Sequence, residues 1–213
     1  MKVTSKNTRI VSDHPLLLDM LTKLRRDSTD SVTFRLFTKQ ITNFLIYEST
    51  LSLKTQKIIT ETPLTKLDGD QLDESMVIVP ILRAGLLMAE AAAEILSEAS
   101  VVHIGISRDE ITLRPKEYFI PDIPVSRAST CLILDPMLAT GGTASAACDV
   151  VKSWDVEKII FVGILGSEQG VSRLTQEHPD VEIHLGAIDS DLDENGFIVP
   201  GLGDAGDRLF STY

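Results

Sequence analysis

The sequence predicts an α/β fold, a mostly parallel sheet flanked by helices. Three observations predict it. Short apolar runs such as Met76-Val77-Ile78-Val79-Pro80-Ile81 and Cys131-Leu132-Ile133-Leu134 recur through residues 76–188. Stretches of helical period separate them, the alternation expected of βαβ units. The runs are apolar throughout, as strands are when both faces of a sheet are covered. With 213 residues, 43% of them hydrophobic and 24% charged, the chain suits one domain with a substantial core.

Taken in order, residues 14–26 carry Leu16, Leu17, Met20, Leu21 and Leu24 at helical spacing, with Asp13 the expected N-cap and Pro15 in the first turn. A second helix over 32–51 has Phe34, Phe37, Ile41, Phe44 and Leu45 as its stripe and Asp30 or Ser31 as its cap. Strands follow over 76–81, 101–106, 131–135, 158–165 and 181–188, with helices over 86–96, 142–154 and 169–177 between them. Residues 111–125, punctuated by Pro115, Pro121 and Pro124, read as an extended β-arm. The core is expected over about residues 70–190. The N-terminal helical segment (1–60) and the C-terminal loop (190–213) are expected to form a hood over one edge, within a single domain of residues 1–213.

Composition removes several function classes. Twenty basic and 31 acidic residues give 20 − 31 = −11 at pH 7. Such a chain repels nucleic acid and anionic membrane at long range, though a local basic pocket can still hold a phosphate. Cys131 and Cys148 form no CxxC pair, and no His/Cys cluster offers a zinc site, so no protein-held metal and a reduced, cytoplasmic compartment are expected. The first residues lack the apolar run of a signal peptide, and the apolar stretch 76–96 is broken by Arg83, Glu90 and Glu94, so no membrane span is expected.

Three motifs carry chemistry. The first, Asp135-Pro136-Met137-Leu138-Ala139-Thr140-Gly141-Gly142-Thr143, joins a buried strand to a helix rich in small residues. Open α/β sheets bind ligands at such junctions. Backbone amides, the helix N-terminus and the Thr140 and Thr143 hydroxyls suit a phosphate, and Asp135 suits a sugar diol. An ordinary βα turn capped by Asp135 is the alternative. The second, Val79-Pro80-Ile81-Leu82-Arg83-Ala84-Gly85, sets an arginine among apolar and small residues, where a solvated surface charge is not expected; Arg108 ends the next strand on the same edge. Structural ion pairs, such as Arg108 with Asp109, are the alternative. The third spans residues 196–208, GFIVPGLGDAGDR. Its Gly201-x-Gly203-x-x-Gly206 is not a dinucleotide fingerprint, because too few residues follow for the helix and strand. Asp191-x-Asp193-x-Asn195-Gly196 is not an EF-hand, because Leu202 stands where a Glu is required. What remains is a glycine-dense loop whose main chain can read a small flat base, or an irregular tail with a local Asp207–Arg208 contact. The four histidines are scattered and read as structural or exposed.

At these motifs the chain closely resembles the uracil phosphoribosyltransferase family. The likeness extends to His14-Pro15-Leu16, Leu21 through Arg25, Phe34-Arg35 and Tyr47-Glu48, and so covers almost the whole chain. It implies a type I phosphoribosyltransferase core and transfer of ribose 5-phosphate from phosphoribosyl pyrophosphate to uracil, giving UMP and pyrophosphate. It further implies Mg²⁺ carried mainly by the donor, a GTP effector in some members, and a homodimer or homotetramer. Carried over, Arg83 and Arg108 contact the diphosphate, Asp135 the ribose hydroxyls, and Pro136, Met137, Leu138, Ala139, Thr140, Gly141, Gly142 and Thr143 form the donor loop. Ile198, Gly203, Asp204 and Ala205 contact uracil, with Asp204 between uracil and donor and, with the two arginines, catalytic. The chain departs from the usual residues at Leu87, Ala89, Ser107, residues 166–170 and Ser211. Alternatives are transfer to another base, an inactive nucleotide-binding module, and a uracil-sensing RNA-binding regulator, which the charge of −11 opposes.

Overall fold

A computed structural model describes residues 7–10, 14–108, 115–121 and 130–212, without the side chains of 8–10, 107, 108 and 115. In chain order the strands are β1 (Thr8–Ile10), β2 (Thr55–Glu61), β3 (Lys66–Leu72), β4 (Met76–Leu82), β5 (Ser100–Val101), β6 (Ile104–Arg108), β7 (Pro115–Phe119), β8 (Thr130–Leu134), β9 (Met137–Leu138), β10 (Lys158–Ser167), β11 (Glu182–Asp189), β12 (Asp191–Leu192) and β13 (Ile198–Val199). The helices are α1 (Pro15–Arg25), α2 (Ser31–Ser49), α3 (Gly85–Ile95), α4 (Gly142–Lys152), α5 (Glu168–Glu177) and α6 (Ala205–Phe210).

The main sheet runs β1-β11-β10-β8-β4-β6-β7, with β5 also on β4 and β9 also on β10. Every pairing in it is parallel except β6 with β7. Alternate residues of the apolar strands feed two cores. Ile78, Leu132, Leu134, Ile160 and Val162 face α1, α2 and α3. Val77, Val79, Cys131, Ile133 and Phe161 face α4 and α5. This two-sided burial is why the strands are apolar throughout.

Helix α2 is capped by Asp30, whose carboxylate accepts from Thr33 N at 2.8 Å, and it buries Phe34, Thr38, Ile41, Leu45 and Ile46. In α1 the buried stripe is Leu17, Met20, Leu21 and Leu24, whereas Leu16 is exposed. The N-cap of α1 is His14 and no side chain closes it; Asp13, the expected cap, lies outside the described residues. These two helices do more than roof an edge: they share a core with one face of the sheet. The strand expected over 101–106 is two strands, interrupted at Val102 and His103, both paired to β4.

The extended arm differs from expectation. Of residues 111–125, the described strand β7 lies back on β6 as the sheet's antiparallel edge, and 111–114 and 122–125 lie outside the described residues. A separate hairpin, β2 with β3, pairs Thr55 with Leu72 through Glu61 with Lys66 and is exposed along nearly its whole length. It crosses the 60–70 gap left between the expected hood and core. Its turn is closed locally, with Thr62 N donating to Thr65 O at 2.9 Å.

Ile46→Ala, in the core between α2 and the sheet, is expected to cost about 2–5 kcal/mol, whereas Ile59→Ala on the hairpin should stay within about 0.5 kcal/mol; urea unfolding midpoints measure both.

Candidate active site

The C-terminal ends of β4 and β8 and the N-termini of α3 and α4 gather on one edge of the sheet, because parallel strands joined by helices all run the same way. An open cleft of about 830 Å³ lies along that edge. Of the residues expected in a site, Arg83, Asp135, Met137, Leu138, Ala139, Thr140, Gly141, Thr143, Ile198, Gly203, Asp204 and Ala205 line it. Three do not. Pro136 is buried beneath the loop, and its carbonyl accepts from Ile164 N and Leu165 N, both at 3.0 Å. Gly142 is the buried first residue of α4. Arg108 ends β6 on the same sheet edge, but its side chain is outside the described residues, as is Asp109.

The loop after β8 is held from below. Asp135 N donates to Val162 O at 3.3 Å, and β9 continues the parallel ladder along β10. Ser167 Oγ donates to Ala139 O at 2.6 Å and accepts from Gly170 N at 2.8 Å, so one hydroxyl caps α5 and fastens the loop. Gly141 has φ of 78°, a left-handed conformation that only glycine takes without cost, and it starts α4. No described side chain caps this terminus, and the first intrahelical bond is Ser145 N to Gly141 O at 2.9 Å. The amides of Gly142, Thr143 and Ala144 therefore have no intrahelical acceptor and carry the helix's positive end, a setting for an anion. Helix α4 is tied to the end of α5 by Ser145, which donates to Glu177 and lies 2.9 Å from His178 Nε2.

Asp135 sits half-buried at the strand end. Burial pushes its carboxyl up to about 7; the Met137 amide, 3.5 Å away, opposes that shift, and the Asp204 charge adds to it. Asp204 is exposed and caps α6, accepting from Asp207 N at 2.9 Å. Arg83 corrects an expectation: its side chain is 60% exposed, because its apolar neighbours belong to β4 beneath it. It stands in the wall between the main cleft and a shallower one of about 480 Å³ that Ile106 and Tyr118 border, with Nη2 3.7 Å from Asp207 Oδ1. Arg208 reaches back to Leu202 O (2.7 Å) and Arg26 O (2.6 Å) and lies over the Phe34 ring.

Gly196 and Phe197 of the third motif line the cleft, and so do Glu194 and Asn195, which sequence reasoning did not place there; the β12–β13 hairpin brings all four to it. The signal was present in Asp193, whose carboxylate accepts from Asn195 N and Phe197 N and closes the turn. None of the four histidines lines the cleft. Among the described residues no group of three or more His, Cys, Asp or Glu is placed to hold a metal ion, and no helix is long and apolar enough to cross a membrane. Both cysteines are free and buried.

The Asp135 shift has a stability consequence with a definite sign. The native carboxyl titrates near 7 and an unfolded one near 3.8. The native state therefore holds the extra proton in that window, and stability falls as pH rises through it. Asp135→Asn should raise the Tm of the unliganded protein by roughly a few degrees at pH 8 and by less at pH 5; an equal change at both pH values in thermal melts would contradict the shift.

A model of the family described as uracil phosphoribosyltransferase matches residues 11–212. A uracil phosphoribosyltransferase of Roseiflexus sp. (strain RS-1) is 48% identical over 203 residues, 95% of this chain and 98% of that protein. One from Dictyoglomus turgidum is 47% identical over 206 residues, 95% and 99% of the two chains. Among solved structures, the AQ2163 protein from Aquifex aeolicus superposes with a TM-score of 0.91 at 32% identity, covering 96% of this chain and 98% of that one. With residues 135–144 and 194–206 contributing to one cleft, and relatives this similar over nearly its whole length, the chain belongs to the uracil phosphoribosyltransferase family.

Proposed function

We propose that this protein transfers the 5-phosphoribosyl group of phosphoribosyl pyrophosphate to N1 of uracil, giving UMP and pyrophosphate. The observation that carries the reading is the convergence of the α4 N-terminus, Asp135, Ile198 and residues 203–206 on one cleft in a chain of this family. Ala139 to Thr143 would take the 5′-phosphate on backbone amides and the threonine hydroxyls. Asp135 would accept from the ribose diol, and a buried carboxylate is worth most there when ionised. Arg83, exposed in the cleft wall, and Arg108, on the same sheet edge, would hold the diphosphate.

The reaction breaks the bond from C1′ to the diphosphate oxygen, forms the bond from C1′ to uracil N1, and releases the N1 proton. Positive charge grows on the ribose as the diphosphate leaves, so the protein's task is positioning and electrostatic stabilisation. Asp204, between base loop and donor, supplies negative potential on that side. Ile198 and the main chain of Gly203 to Ala205 would read the O2, N3–H and O4 edge of uracil. Cytosine presents the wrong donors, a mismatch costing about 1–3 kcal/mol per buried group left unpaired.

Mg²⁺ fits this donor set as an ion carried on the donor's own oxygens. The cleft offers Asp135, Glu194 and Asp204 as scattered carboxylates rather than a cluster. When bound, the ion offsets charge on the leaving diphosphate. The proposal includes a homodimer or homotetramer and a GTP effector, both supported by the family resemblance alone. Sedimentation velocity, and turnover with and without GTP, test these two.

The primary experiment is UMP formation from uracil, phosphoribosyl pyrophosphate and Mg²⁺, run beside cytosine, hypoxanthine and orotate. Product from uracil alone is expected; a folded protein that binds the donor and uses another base would overturn the reading. Asp204→Asn should lower kcat roughly 100-fold while shifting Tm little, since Asn caps α6 as Asp does; parallel loss of both would make Asp204 structural.

A further inference from the structure

Arg25, the last residue of α1, forks onto Asp189, the last residue of β11, with Nη1 to Oδ2 at 2.6 Å and Nη2 to Oδ1 at 2.9 Å. The same pair takes both backbone polar groups of Gly201. Asp189 Oδ2 accepts from Gly201 N at 2.9 Å, and Arg25 Nη1 donates to Gly201 O at 2.9 Å. Arg208 continues the grip by donating to Leu202 O. Neither Arg25 nor Asp189 lines the cleft.

The loop divides cleanly. Ile198, Gly203, Asp204, Ala205 and Gly206 face the cleft, whereas Gly201 and Leu202 are buried away from it. The charged ring therefore holds the turned-away peptides and leaves the flanking ones to face a ligand. Gly201 has φ of 59°, and a side chain there would run into the Ile198 carbonyl, so the turn tolerates no second arrangement that bears a Cβ. The ion pair is shielded, with Arg25 26% and Asp189 10% exposed. Burial pushes the Asp189 carboxyl up, but the Arg25 fork and the Gly201 amide outweigh it and hold the group below its ordinary range.

We infer that Arg25 and Asp189 are positioning residues for base recognition, their closed ring of hydrogen bonds around Gly201 setting the angle at which residues 198–205 present main-chain groups to uracil. The inference rests on the uracil reading given above. Main-chain readout demands such a device, because a peptide group has no rotamer of its own and is aimed only by its neighbours. Selective sites hold their groups to within about 0.5 Å.

Two variants test it. Arg25→Lys keeps the charge and loses the fork. The double variant Arg25→Met with Asp189→Leu removes the ring but leaves no unpaired buried charge, a replacement that often preserves stability. Tm, donor affinity by calorimetry without base, kcat/KM for uracil and for cytosine, and amide hydrogen exchange at residues 201–205 are measured on both and on the unaltered protein. The expected result is donor affinity within roughly threefold, kcat/KM for uracil down at least about tenfold, a narrower uracil-to-cytosine ratio, and faster exchange confined to 201–205. An unchanged ratio, or donor affinity falling in parallel with uracil turnover and Tm, would overturn the inference. An unaltered protein that forms no UMP would instead overturn the uracil reading; the exchange rates would still decide whether the ring fixes the loop.

Discussion

A parallel sheet covered on both faces must send its chain back through a helix after each strand, and that constraint places everything else in this molecule. Each return leaves a strand C-terminus and a helix N-terminus on the same edge. Arg83 and Asp135 therefore come side by side from positions 52 residues apart, without either being near the other in sequence. The positive end of α4 reaches the cleft for the same reason. Two apolar cores cover the sheet, one under α1 to α3 and one under α4 and α5.

The second layer of organisation is ionic. Three arginines from the two ends of the chain bind main-chain carbonyls rather than only carboxylates: Arg25 to Gly201, Arg35 to Leu209, and Arg208 to Leu202 and Arg26. Guanidinium donors suit this task because one planar group serves several acceptors at fixed angles. They join α1 and α2 to the C-terminal segment that lines one side of the cleft. On the cleft side the balance is opposite. Burial, with the Asp204 charge adding to it, raises the cost of ionising Asp135, which a cationic or hydrogen-bond-donating ligand relieves.

Much of this was legible in the residues. The uniform apolarity of Met76 to Ile81 and Cys131 to Leu134 announced covered strands, and the Asp135 to Thr143 run announced a strand–loop–helix junction. The β2–β3 hairpin was not legible, because its exposed strands bury no face and so leave no alternation to read. The exposure of Arg83 was misread for a related reason: apolar sequence neighbours describe the strand that ends there, not the space its side chain enters. Glu194 and Asn195 were missed because a two-residue pairing, Asp191-Leu192 with Ile198-Val199, is too short to show any period.

Sequence alone therefore determined the layer architecture and the order of the central strands and helices, and it singled out residues 135–143 and 196–208 as candidate binding loops, since each depends on residue types at short range. Tertiary structure decided which residues of those loops face the cleft, and it buried Pro136, Gly201 and Leu202 away from it. It also decided that Arg25 meets Asp189 across 164 positions. Such choices follow from the register of non-adjacent strands and the angle at which helices cross them, quantities no local run of residues encodes.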